Sequence, residues 1–85
     1  MKDKEKRIKE LESRNSELAK EILLNESAIF ETENEISELD QDLLGHTAIQ
    51  QQINNLRLLI ERIKNKNELY KNEIYSNDLE IKKLK

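Results

Sequence analysis

The feature that most constrains this chain is a heptad of apolar residues that runs nearly its whole length and loses its phase once. From Ile8, positions alternately three and four apart hold Leu11, Leu18, Ile22, Ile29, Ile36, Leu39 and Leu43, interrupted by Asn15, Asn25 and Thr32. That spacing draws one apolar stripe along an α-helix, the stripe that a neighbouring helix covers. A second stripe of the same kind runs through Ile53, Leu56, Ile60, Ile63, Tyr70, Ile74, Ile81 and Leu84. Extending the first register forward would bury Arg57 and Lys64, so the phase slips by three residues near Leu43 to Ile49. That interval holds the only glycine, Gly45, and the chain has no proline.

The local residues read as a turn. Gly45 follows the last residues of the first stripe, where a helix stop favours a residue free to enter the left-handed conformation. Thr47-Ala48-Ile49-Gln50 then matches a capping box, a helix start signal. The sequence therefore predicts one coiled-coil unit over 1–85, with helix 1 at about 3–44, a turn of Gly45, His46 and Thr47, and helix 2 at about 48–84. Gly45 inside one continuous helix, at a cost of about 1 kcal/mol, is the alternative. It gives long helices paired antiparallel between two chains.

Folding at His46 pairs residue i with residue 92 − i, and every a position then meets a d position. Asn15 meets Asn77 and Asn25 meets Asn67, so each amide in the stripe faces another amide that can satisfy it. These four asparagines are the register-setting core, a structural role that needs no ligand. Charge agrees with the antiparallel order. Residues 26–42 are acidic without a base, whereas Arg57, Arg62, Lys64 and Lys66 lie across the fold. Flanking pairs expected to attract are Glu5 with Lys85, Arg14 with Glu80, Glu26 with Lys64 and Glu33 with Arg57. Glu12 with Asp78 and Glu21 with Glu73 are expected to repel. Each exposed pair contributes only ~0.2–1 kcal/mol, so the consistency of sign carries the argument.

Composition sets the function classes. With 39% charged and 4% aromatic residues in 85, the chain cannot enclose a globular core, and a seam is the burial open to it. A two-helix rod has no cleft that excludes water, and no nucleophile with its base or phosphate-binding glycine loop is present. No catalytic, cofactor or metal site is expected. His46 is the only histidine and there is no cysteine to join it. No apolar run approaches the ~20 residues of a membrane span, and no signal-peptide pattern is visible, which points to the cytoplasm. The formal charge of −3 argues against nucleic acid as the main ligand. The basic residues Lys82, Lys83 and Lys85 gather near Lys2, Lys4, Lys6 and Arg7 in this fold and read as solvated termini.

Apolar residues outside the stripes are the interface candidates: Leu23, Leu24, Ala28, Phe30, Leu58, Leu59, Leu69 and Tyr75. Leu24, Ala28, Leu59 and Leu69 fall on one flank of the hairpin; Leu23, Phe30 and Tyr75, with Ala19, fall on the other. The expectation is an all-α antiparallel hairpin that dimerises into a four-helix bundle and serves as a scaffold or adaptor for a partner protein. A small inhibitor or regulator from a mobile element, acting through its acidic face, is the alternative. In outline the design resembles the helical-hairpin dimers typified by the plasmid copy-control protein Rop. That resemblance implies a third possibility, a nucleic-acid-binding hairpin, although no motif here matches the RNA-binding face of that family.

Overall fold

The computed structural model describes residues 2–41 and 47–85. Helix α1 spans Lys2–Gln41 and helix α2 spans Thr47–Leu84. The two pack against each other within one chain as a rod of 66 × 14 × 13 Å. The all-α helical hairpin expected from the heptads is therefore the fold, and the described residues contain no strand. Gly45, His46, Leu43 and the end of helix 1 expected at about residue 44 lie outside the described residues. Thr47 is the first residue of α2, one place inside the cap expected of it and within the usual play of helix ends.

The seam follows from the stripe. Leu11, Leu18, Ile22, Ile53, Ile60 and Ile81 are buried, and Ile8, Ile29, Ile36, Leu39, Leu56, Ile63, Tyr70, Ile74 and Leu84 are half-buried. The fully buried side chains all lie on this stripe, as a pair of helices has a single shared face. Long apolar side chains in helices lean back toward the turn before them, which is how a and d residues reach the facing helix.

Polar layers set the register. The Asn25 side-chain amide donates to the Asn67 carbonyl oxygen at 2.8 Å. The Asn67 amide in turn donates to the backbone carbonyl of Ile22 at 3.4 Å, so this residue, 4% exposed, has both ends of its amide satisfied. In the second layer Asn77 donates to Asn15 at 2.9 Å. Asn15 does not return that bond; its own amide donates to Asp78 at 3.0 Å. Each layer thus holds one amide-to-amide bond rather than the mutual exchange that facing amides permit. The second donor goes to a different acceptor in each layer, the Ile22 carbonyl in one and Asp78 in the other. Thr32, the other polar seam position in α1, donates to the Ala28 carbonyl one turn back at 2.7 Å.

Candidate interaction surfaces

The hairpin has two long flanks. With a and d in the seam, positions g and c of both helices line one flank, and e and b line the other; f points away from the neighbouring helix. The terminal part of the g and c flank is bridged. Arg7 Nε donates to Glu80 at 2.8 Å, and Arg14 Nε donates to Glu73 at 2.8 Å. Each arginine also approaches a carboxylate on its own helix, Arg7 with Glu10 at 3.7 Å and Arg14 with Glu17 at 3.6 Å. The hydrogen bond to Glu80, then the charge of that carboxylate, raises the Arg7 pKa above its ordinary value. Glu73 does the same for Arg14 in the same order of causes.

This pairing corrects the expected one. Arg14 meets Glu73, not Glu80, because the g positions pair along the other diagonal of the rod. That diagonal gives a carboxylate to both arginines, and it turns Glu73 to a cation instead of leaving it opposite Glu21. Among the described residues no ion pair forms between Glu5 and Lys85, Glu26 and Lys64, or Glu33 and Arg57. Glu33, Arg57, Glu61 and Lys64 instead rim an open groove of about 360 Å³ floored by Ile36 and Ile60. Opposite charges share that groove without the close geometry that marks a specific bridge.

The apolar residues outside the seam remain in water. Leu23, Leu24, Phe30, Leu69 and Tyr75 are each 64–67% exposed, Leu58 and Leu59 are also exposed, and Ala28 is half-buried beside the seam. Leu24, Ala28, Leu59 and Leu69 occupy g and c positions; Leu23, Phe30 and Tyr75 occupy b positions on the opposite flank. Leu58 stands at f, on the back of α2. Leu79 is exposed too and was not singled out from sequence. It lies in the same f row as Leu58, and that row was the available signal.

Among the described residues no helix is long and apolar enough to cross a membrane, and no cluster of three His, Cys, Asp or Glu residues is placed to hold a metal ion. Comparison with protein-family models, curated proteins and solved structures finds no match for the chain.

Proposed function

We propose that this chain is a non-enzymatic interaction module of the cytoplasm, a helical hairpin that self-associates and presents the rest of its rod to a partner protein as a scaffold or adaptor. The observation that carries this reading is the set of large apolar side chains left in water by a seam that is complete without them. Leu23, Leu24, Phe30, Leu69 and Tyr75 are about two-thirds exposed, whereas every apolar seam residue described is buried or half-buried. Exposed apolar clusters of this kind are retained where something covers them. Light scattering across a wide concentration range tests the self-association: the apparent mass rises toward twice the chain mass as protein is concentrated. A mass that stays at one chain throughout removes self-association from the reading.

A second reading has one observation in its favour. Glu31, Glu33, Glu35, Glu38 and Asp40 are exposed, and none of them joins an ion pair among the described residues. An acidic stretch of this kind, with Glu31, Glu35 and Glu38 on one flank, suits a regulator that occupies a basic site on another protein. Its complex would weaken steeply with salt and be lost when Glu31, Glu35 and Glu38 become Gln. The apolar-surface reading expects the complex with the partner protein to survive both.

A further inference from the structure

The two flanks differ in what a second copy of the hairpin would meet. On the g and c flank, c residues of α1 and α2 stand at nearly the same height where their numbers sum to 93. That is one residue, about 1.5 Å, from the layer sum of 92 fixed by the asparagine pairs. Five such pairs exist along the rod. They are Glu10 with Lys83, Glu17 with Ser76, Leu24 with Leu69, Glu31 with Arg62, and Glu38 with Asn55. The row contains two opposite-charge pairs, one apolar pair at its centre and no like-charge pair. Within one chain the members of each pair point away from each other, on the outer edges of the two helices, so their match is unused by the hairpin itself.

We infer that a second copy of this chain docks on the g and c flank, with the twofold axis parallel to the rod, so that the ends joined by residues 42–46 lie together. The inference rests on the self-association proposed above and specifies its face and symmetry. A twofold axis in that direction lays α1 of one copy over α2 of the other without changing height. Leu24 then meets Leu69 of the second copy, Glu31 meets Arg62, Glu10 meets Lys83, and each contact occurs twice. Ala28, at g one turn from Leu24, adds to this apolar centre, whereas Leu59 stands about 15 Å farther along the rod. Helices that touch across the new interface remain antiparallel, as within the hairpin.

Two rival arrangements match worse. A twofold axis perpendicular to the rod stacks α1 on α1. Centred on Leu24, it sets Glu17 against Glu31 and Glu10 against Glu38, each twice. Docking through the e and b flank with the parallel axis sets Lys9 against Lys82, Leu23 against Glu68 and Phe30 against Glu61. Like charges face each other in the first case, and apolar residues face carboxylates in the second. The g and c flank with the parallel axis matches leucine to leucine and acid to base, which neither rival does. It leaves Leu23, Phe30 and Tyr75 uncovered on the opposite flank, where a different partner has access.

Sedimentation equilibrium of the full chain and its variants tests the face. Leu24→Glu weakens dimerisation on the order of 100-fold, since the twofold buries that leucine in two places. Helicity is retained because the residue is exposed in the hairpin. Glu31→Arg weakens the dimer, and adding Arg62→Glu restores it. The cysteine-free chain makes the axis testable as well. Chains carrying Glu31→Cys, mixed dilute with chains carrying Arg62→Cys and oxidised, form a disulfide-linked pair, whereas Glu31→Cys with Glu17→Cys does not. A wild-type chain that is monomeric at all concentrations overturns the self-association and this inference together. A dimer indifferent to Leu24→Glu, or one in which Glu31→Cys fails to link to Arg62→Cys, overturns the face or the axis alone.

Discussion

The two halves of the rod are held together by different means. In the terminal half, where α1 up to Asn25 lies against α2 from Asn67 onward, directional contacts cross between the helices. Asn25 with Asn67, Asn15 with Asn77 and Asp78, Arg7 with Glu80 and Arg14 with Glu73 all lie there. In the half nearer residues 42–46, opposite charges face each other without bridging, and the layers rest on Ile53, Ile60, Ile36, Leu56 and their neighbours. The difference has a polymer explanation. Close to the connection the chain itself limits how far one helix can slide along the other, and the loop closed by each contact is short. Far from it, apolar stripes alone permit a slip by a whole heptad, and only groups with directional needs reject that slip.

The apolar part of this comparison yields the largest effects. Leu18 in the terminal half and Ile53 in the other are both 1% exposed. Truncation to Ala is expected to cost about 2–4 kcal/mol at either site, as each removes a fully covered side chain from a seam with little else to close over the gap. Denaturant unfolding followed by circular dichroism measures both. Losses of similar size mean that the hydrophobic stabilisation is even along the rod and that the halves differ only in their polar contacts. A cost below ~1 kcal/mol at one site would show that its half is not a packed seam.

Much of this was legible in the sequence because the signals were periodic. The layer sum of 92 and the facing asparagines specify an antiparallel pairing and its register, with the stop and start signals at Gly45 and Thr47 favouring a hairpin over long helices paired between chains, and the structure has that register in the Asn25–Asn67 and Asn15–Asn77 bonds. The bonding inside the layers was not legible. Asn15 has two acceptors within reach, Asn77 and Asp78, and nothing in residue spacing says which one takes the donor. The Arg14 bridge was misjudged for a related reason. A g residue has two carboxylate candidates one heptad apart on the facing helix, and side-chain reach decides between Glu73 and Glu80. The flank residues were visible as apolar letters out of register. A single chain's periodicity says nothing of what would cover them.

The polar layers offer a sharper cut between the halves. Asn67→Leu leaves the Asn25 amide facing an apolar group and removes the bond to the Ile22 carbonyl, so a loss of about 1–3 kcal/mol is expected. Replacing both Asn25 and Asn67 by Leu recovers most of that loss, because a matched apolar layer has no orphaned amide. The corresponding change in the other half is Thr32→Val. Its hydroxyl is satisfied within its own helix by Ala28, so no group on α2 loses a partner and the cost stays below about 1 kcal/mol. Equal losses for Asn67→Leu and Thr32→Val in the same unfolding experiment would contradict the view that, among the described residues, inter-helix polar bonds are confined to the terminal half.

The smallest effects lie at the surface, and there salt and pH separate the halves better than magnitude does. Arg14→Gln removes a bridge that the structure contains, whereas Glu33→Gln removes a charge that only shares a groove with Arg57. A slight drop in melting temperature is expected for the first in low salt, vanishing in high salt, and no resolvable drop for the second. The pH dependence follows from the sign of the shift. The hydrogen bond and charge of Glu73 raise the Arg14 pKa in the folded chain. The contribution from this guanidinium is therefore complete below its unfolded pKa and is lost only as pH rises through the still higher folded value. Between neutral and mildly alkaline pH the difference between wild type and Arg14→Gln should stay constant, while added salt removes it. A difference that shrinks over that alkaline interval would mean that some group other than Arg14 titrates in the bridge.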